Sequence, residues 1–496
     1  MHRIGTWGFG PHPWVSVERT RHFYARALAA EFELVDLDAV PAGEAPPVDA
    51  ILSFNSSRWF SQPRSSDAPV VLAMHGGPVV DHAGLRECFG HLRTHDTLLV
   101  NCSSDEDIVR GLCDGASPHT VRLPLPVDTE CFTPYHRGDC RAELELPACD
   151  LVVGFVCRLV PQKNLHLFLR AFAQIRERLR PRRVVALVVG NFHASHPVLD
   201  YGCGGYRETI ARLVGELELA DDLVHFPASL SDEQLAMAFG AMDVLLHPTS
   251  AIDENFGYVP VEAMACGVPV VGSAYGGLVD TVVPGQTGAL MPTWCTRSGI
   301  RIDLDAGVEA VVGLLSDAAE HERRCAAAVE HAAAGYTEAA CGETLRRAFR
   351  EAIARRAAGA GGGAAVVTTA APPSGASRAP GDELLPPTEP PWEAFAEAVG
   401  HYVSQPVPTL SPDAGVRWAA PLRRDGDGRW RLDDPAWAAA LPRALADDPL
   451  RWACARAVRA GDLATPGSER WALLQRLVDD GLLLVTRARA GREAAA

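Results

Sequence analysis

The stretch DVLLHPTSAIDENFGYVPVEAMACGVPVVGSAYGGLVDTVVPGQTGAL, residues 243–290, decides how this chain of 496 residues folds. It opens on an apolar β-forming run, DVLLHP (243–248), and reaches a second one at VPVVGS (268–273). Between them come a polar loop and a helix-forming segment, PVEAMAC (260–266), that stops at Gly267. Strand, helix and strand in that order predict a βαβ unit, with parallel strands and a ligand at their carboxyl ends. Two carboxylates, Glu254 and Glu262, stand eight positions apart on the loop and the helix. The Asn255–Phe256–Gly257 turn can open the helix, whose first N–H groups have no partner. Those groups favour an anion by roughly 0.3–1 kcal/mol when exposed, and by more when buried. Gly257 lets the backbone approach a ligand closely. Glu262, about two turns further on, is placed to accept hydrogen bonds from sugar hydroxyls.

Working outward, DLVVGFVCRLV (150–160), RRVVALVVG (182–190) and DLVHF (222–226) read as further strands, and NLHLFLRAFAQIRERLR (164–180) has apolar residues at helical spacing. Arg158 and Lys163 follow the carboxyl end of the first of these strands, in GFVCRLVPQKN (154–164). Two cations there can neutralise a diphosphate, Arg through its planar fork and Lys as a point charge. Residues 1–135 repeat the alternation. IGTW (4–7), FELVDLD (32–38), DAILSFN (49–55), APVVLAMH (68–75) and DTLLVNCS (96–103) read as strands, and SVERTRHFYARALAA (16–30) as a helix. Runs of apolar β-formers separated by helices predict parallel sheets. The fold class is therefore α/β, with two Rossmann-like parallel-sheet domains facing a cleft.

Composition narrows the function. Lys and Arg total 46 against 62 Asp and Glu, a formal charge of −16. That acid excess argues against nucleic acid or anionic lipid as the main partner. The thirteen cysteines are odd in number and contain no C-x-x-C pair, which suits buried thiols in a reducing cytoplasm. No apolar run reaches the length of a transmembrane helix, and the first residues lack the apolar core of a signal peptide. His193 and His196 lie near Asp200 and Cys203, but in what reads as an inserted surface loop, so no metal site is expected. The D-x-D pairs Asp36/Asp38, Asp105/Asp107 and Asp303/Asp305 read as strand-end or surface charge.

In R-L-V-P-Q-K (158–163), E-N-F-G-Y-V-P-V-E (254–262), A-M-A-C-G-V-P-V-V (263–271) and Tyr275-Gly276-Gly277, the chain resembles the retaining nucleotide-sugar glycosyltransferases of the GT-B fold, family 4. The resemblance extends to VRLPLPVDTECFTP (121–134), and in outline to 330–355, where the family sends a helix back to the N-terminal domain. It implies a retaining glycosyltransferase that uses a nucleotide-diphosphate sugar and needs no metal or other cofactor. It implies that Arg158 and Lys163 bind the diphosphate and stabilise the leaving group, and that Glu262 binds the ribose. Glu254 and the backbone of Asn255, Phe256, Gly257 and Tyr258 would face the donor sugar and phosphate. His75 matches a family histidine near the sugar, and Gly8 and Gly10 match a glycine-rich loop facing the diphosphate. The other readings are a non-catalytic protein that binds a sugar nucleotide or carrier peptide, and a sugar-nucleotide epimerase of similar shape.

The expected organisation is an acceptor-side domain over 1–140, a donor-binding domain over 150–335 and a returning helix over 336–356. A flexible Ala/Gly/Pro/Ser linker follows over 357–391, then a small α(+β) accessory domain over 392–490. Six of the ten tryptophans fall in 392–471. LRRDGDGRWRL (422–432) reads as a hairpin, and RWALLQRLVDDGLLLV (470–485) as a helix, a glycine and a strand, an ending that resembles winged-helix modules. A peptide, protein or acceptor contact is the candidate role of this domain; the acceptor itself is unknown.

Overall fold

The computed structural model describes the chain apart from 13–14, 42–43, 45, 55–65, 75, 116, 197–200, 228–229, 360–366, 369–391, 404, 425, 427, 443–444, 446–453, 455–456 and 487–496. The first lobe runs β1 (Arg3–Trp7), α1 (Val15–Ala29), β2 (Glu33–Asp36), β3 (Ala50–Phe54) and β4 (Val70–Ala73). It continues through α2 (Gly77–Phe89), β5 (Thr97–Val100), α3 (Ser103–Leu112) and β6 (His119–Arg122). Its six strands pair in parallel, in the order β2-β1-β3-β4-β5-β6.

After α4 (Arg137–Glu143), the second lobe begins with β7 (Leu151–Val156), α5 (Leu165–Arg178) and β8 (Val184–Val189). A two-residue ladder, β9 (Ser195–His196) on β10 (Tyr201–Gly202), is followed by α6 (Tyr206–Glu216), β11 (Leu223–Phe226) and α7 (Asp232–Gly240). Then come β12 (Val244–His247), α8 (Tyr258–Ala265), β13 (Val270–Ser273), α9 (Leu278–Thr281) and β14 (Gly288–Met291). The strand order β11-β8-β7-β12-β13-β14 is all parallel and reverses direction beside β7, between β7 and β12. At such a reversal the loops leaving the two strands diverge and open a crevice. Every residue of β3, β4, β5, β7, β8, β12 and β13 is buried, because helices cover both faces of each sheet. This is why those segments read as unbroken apolar runs.

The two lobes share a core. The hairpin β15 (Thr293–Thr296) and β16 (Gly299–Ile302), α10 (Leu304–Ser316) and α11 (Ala318–Gly335) lead to α12 (Glu338–Ala358). This last helix returns to the first lobe. Arg26 forms a two-armed bond to Glu338 with both contacts at 2.8 Å, and the Phe349 ring sits 6.1 Å from that of Phe32. One apolar cluster runs from Phe23 and Leu28 through Phe349 and Phe132 to Phe239 and Val261.

Two parts of the tail pack differently from the sequence expectation. Within 357–391, residues 357 and 358 prolong α12, and Val367 is fully buried with its amide on the Leu92 carbonyl. The remainder of that segment lies outside the described residues. In the segment expected to be a separate accessory domain, α13 (Glu393–Gly400) joins the first lobe's core. Trp392, Phe395, Val399 and Tyr402 cluster with Val79, Leu85 and Phe89 of α2. Apolar anchors this large cannot stay in water, and α2 supplies the matching surface. The small third unit has its own core of Leu410, Val416, Trp418, Leu474, Leu477 and Leu483. It holds an antiparallel sheet of β17 (Gly415–Trp418), β20 (Val458–Arg459) and β21 (Leu483–Thr486), in the order β20-β17-β21. The expected hairpin is present as β18 (Leu422–Arg424) on β19 (Trp430–Leu432), and a helix over Glu469–Asp479 precedes β21.

Candidate active site in the cleft between the lobes

Two loops of the second lobe build the floor of the cleft. The first leaves β7, carries Arg158, and tightens into a single 3-10 turn, Pro161–Lys163. Asn164 ends that turn in the left-handed region at φ 62°, and its Nδ2 donates to the Pro248 carbonyl at 2.7 Å and to Ser250 Oγ at 2.8 Å. The second loop leaves β12, and the Ser250 amide donates to the Gln162 carbonyl at 2.9 Å. The two loops are thus stitched together, and Lys163 is buried between them. The second loop ends at Gly257, φ 86°, and α8 starts immediately after it. Tyr275-Gly276-Gly277 lies against the back of this loop, with the Gly277 amide on the Glu254 carbonyl at 2.9 Å. A Cβ at Gly276 would fall 2.0 Å from the Glu254 carbonyl oxygen, so glycine is required for that close approach.

The charges in the cleft are matched in pairs. Lys163 Nζ donates to Glu254 Oε2, which also accepts the Thr249 hydroxyl at 2.9 Å. His247 Nε2 stands 3.7 Å from the same oxygen, beyond hydrogen-bond length, so its influence is electrostatic. Burial acts to raise the Glu254 carboxyl, but the Lys163 charge and then His247 outweigh it and hold Glu254 well below the usual carboxylate range. Burial likewise acts to lower Lys163, and Glu254 reverses that, so the ammonium is held charged. Arg158 Nη2 reaches Asp253 Oδ2 at 3.3 Å.

The third pair crosses between the lobes. Arg19 of α1 donates to Glu262 Oε1 at 2.7 Å and to Asp232 Oδ1 at 2.7 Å. Burial raises Glu262 above the ordinary carboxyl value even though Arg19 opposes it. Beside it, Thr20 Oγ1 and the Tyr258 hydroxyl share a hydrogen bond of 2.7 Å.

A cavity of about 530 Å³ opens here. Of the residues singled out in the sequence, Arg158, Lys163, Glu254, Asn255, Phe256, Gly257 and Tyr258 line it. Glu262 lies behind the lining, under Arg19. Gly8 and Gly10 do not line it. The amides of Gly8 and Phe9 instead donate to Asp38 Oδ2, at 2.8 and 3.3 Å, so this loop's donors turn toward the end of β2. His75 lies outside the described residues. The Asn255 side chain faces the first lobe, with Nδ2 donating to Asn101 Oδ1 at 2.8 Å. Among the described residues, no group of three or more His, Cys, Asp or Glu side chains is arranged to hold a metal.

Residues that sequence reasoning missed come mostly from the first lobe. Ser16 and Thr20 of α1 line the cavity, with His12 from the loop before it, and Arg19 reaches Glu262 beside them. For the helix residues the only signal was the polar character of one face. Asp105 is a correction. Read as surface charge, it is fully buried, accepts the Tyr402 hydroxyl and takes the Asn101 amide at 3.1 Å. Burial pushes its carboxyl up to about 7, although these donors pull the other way. What covers it is Tyr402, from the tail. Asp36 and Asp38 remain exposed at the end of β2, and Asp303 caps α10.

The two lobes and the site between them define the GT-B class of fold. Residues 137–294 match the family of glycosyl transferases group 1. It is 34% identical over 266 residues to the D-inositol 3-phosphate glycosyltransferase of Stackebrandtia nassauensis, covering 53% of this chain and 55% of that protein. It is also 34% identical to the enzyme of the same name from Mycobacteroides abscessus, over 52% of each chain. The chain thus spans about half the length of these curated relatives. Among solved structures, sucrose-phosphate synthase from Thermosynechococcus elongatus superposes with a TM-score of 0.56 at 21% identity, covering 72% of this chain and 100% of that one. Anabaena Alr3699/HepE, solved with UDP, gives 0.55 at 17% identity, covering 71% and 100%. At such identities the likeness is one of fold. No helix among the described residues is long and apolar enough to cross a membrane.

Proposed function

We propose that the chain moves a sugar from a nucleotide-diphosphate donor to an acceptor hydroxyl, with retention of anomeric configuration. The observation that carries this reading is the position of Arg158 and Lys163. Both stand at the carboxyl end of β7, facing the opening of α8 across a cavity large enough for a nucleotide sugar. An ammonium has three donors, and Lys163 spends one on Glu254, which leaves the others for phosphate oxygens. Arg158 and the first amides of α8 add further donors. As the bond from the anomeric carbon to the diphosphate breaks, its electron pair stays on the phosphate oxygen, where these groups take up the charge. The acceptor oxygen bonds to the anomeric carbon on the same face, and its proton passes to the departing phosphate. Donors already aimed at developing charge are usually the largest catalytic contribution. With side chains and amides neutralising the diphosphate, the reaction runs without a metal.

Glu262 Oε1 is held by Arg19, and Oε2 makes no hydrogen bond among the described residues, so Oε2 is the oxygen offered to ribose hydroxyls. Glu254, with Lys163 and Thr249 on one oxygen, keeps the other for the donor sugar. The cysteine usage supports a cytoplasmic site of action.

The test is incubation with UDP-, GDP- and ADP-sugars without acceptor, following nucleotide release. Slow hydrolysis of one donor is expected, and Lys163→Ala should reduce its rate by about 10²–10³. A rate near wild type in a folded Lys163→Ala protein ends this reading. Formation of a new sugar nucleotide would point to an epimerase instead, and binding without turnover to a non-catalytic protein.

A further inference from the structure

A second cavity, of about 460 Å³, lies on the far side of the Lys163 loop, between the second lobe and the tail. One wall is the start of α5, with Asn164, His166 and Arg170, and the other includes Trp418, Trp430 and Asp433. We infer that this cavity is a binding site for a small acidic sugar, a single hexose ring bearing one carboxylate or phosphate.

The anionic group follows from Arg170. Its guanidinium is only half-exposed and makes no hydrogen bond or ion pair among the described residues. Three carboxylates act on it, and all are already engaged: Glu216 accepts Arg212 at 2.6 Å. Asp434 accepts the amides of Ala436 and Trp437 at 2.8 and 3.0 Å and faces His166 at 3.5 Å. Asp433 faces Arg212 at 3.6 Å and Arg423 at 3.7 Å. A guanidinium partly removed from water with five open donors is matched by a planar or tetrahedral anion. The hydroxyls follow from one further group. Asn164 is almost fully buried, and its Oδ1 has no hydrogen-bond partner. Such an atom is rare in folded proteins and is normally satisfied by water or a ligand. The ring follows from Trp430, a half-buried indole that lines the same cavity and carries Arg424 over one face at 5.2 Å; Trp418 lines the cavity too but is buried in the tail's own core. Arg301 also lines the cavity without a carboxylate, but it donates to the carbonyls of Gly481, Ile300 and Ser298 and to Ser298 Oγ, so Arg170 is the cation left open and one acidic group matches it.

The site stands apart from the donor cleft, although Asn164 adjoins Lys163 in the chain. Titration calorimetry of the full chain tests it, with glucuronate and glucose 6-phosphate as probes, and glucose and inorganic phosphate as the ring-only and anion-only controls. At least one acid sugar should bind one-to-one and at least about tenfold more tightly than either control. Tighter glucuronate marks a carboxylate ligand, and tighter glucose 6-phosphate a phosphate ligand. Arg170→Gln should weaken binding by about 10- to 100-fold without changing the melting temperature, since Arg170 holds nothing in the fold. Binding should persist in Lys163→Ala and in the presence of UDP, which separates failure here from failure of the donor-cleft reading. The proposal is overturned if neither acid sugar binds, if inorganic phosphate binds as well as both, if Arg170→Gln binds as well as wild type, or if UDP displaces the ligand.

Discussion

The cleft between the lobes and the cavity behind α5 both hold cations withdrawn from water, but they treat them in opposite ways. In the cleft each cation has a carboxylate: Lys163 has Glu254, Arg158 has Asp253, and Arg19 has Glu262. Behind α5, Arg170 has none, because Asp433 and Asp434 are committed elsewhere. Matched pairs keep the cations of the cleft charged, and under the proposed function they exchange for phosphate oxygens with little reorganisation. A cation without a direct partner contributes little to folding and gains most when a ligand arrives. Stability and recognition are therefore merged in the first region and separate in the second.

The contrast would break first at Glu254. Glu254→Ala leaves Lys163 buried without its partner, and loss of one member of such a pair costs about 3–5 kcal/mol. Urea unfolding should show a drop of that order; a loss under about 1 kcal/mol would mean that the pair is not structural. Next comes Arg19. Arg19→Ala strands a buried Glu262 carboxylate and should cost about 1–3 kcal/mol at neutral pH. The sign with pH is defined. Glu262 lies above its unfolded value, so the native state binds more protons than the unfolded one and stability falls as pH rises through that window. Removing Arg19 raises Glu262 further, so the loss should be larger at pH 7 than at pH 4.5. Equal losses at both pH values would show that Arg19 acts through packing alone.

Asp105 sharpens the picture, because it is a buried carboxyl paired with a hydroxyl, Tyr402, rather than a cation. With a folded value of about 7 against an ordinary 3.8, its favourable contribution is complete below about pH 4 and is lost as pH rises toward 7. Asp105→Asn keeps an acceptor for Tyr402 and should remove that slope. Melting temperatures of the two proteins from pH 4.5 to 7.5 should diverge in favour of the variant, and parallel curves would contradict the assignment. Smallest of all, Arg170→Gln should change unfolding free energy by no more than about 0.5 kcal/mol, the range of substitutions that touch no structural feature. A larger loss would show that Arg170 carries a contact in the fold after all.

Most of the two sheets was legible, because strands buried on both faces spell themselves as apolar runs. VVALVV of β8 and VLLH of β12 are examples. β6 escaped the reading: its sequence, HTVR, is exposed at both ends and has no apolar run. In the candidate site, Arg158, Lys163, Glu254 and the Asn255–Gly257 turn were read from turn chemistry and spacing, and Tyr258 only from the family resemblance. Arg19 was not, since nothing in SVERTRHFYARALAA separates an arginine that faces a carboxylate from one that faces water. Gly8 and Gly10 do not line the cavity. A glycine-rich turn after a strand suits a phosphate, but Asp38, just past the end of β2, takes the amides of Gly8 and Phe9.

By itself the sequence determined the alternation of strands and helices, the parallel sheets, and the two cations at the end of β7. These depend on periodicity and on turns that span a few neighbouring residues. Only the tertiary structure decided which carboxylate meets which cation, that Asp105 is sealed under Tyr402, and that Arg170 is left over. Lys163 and Glu254 are 91 residues apart, and Arg19 and Glu262 are 243 apart. Contacts at that range are set by how whole lobes close on each other to bury apolar surface, and no local pattern encodes them.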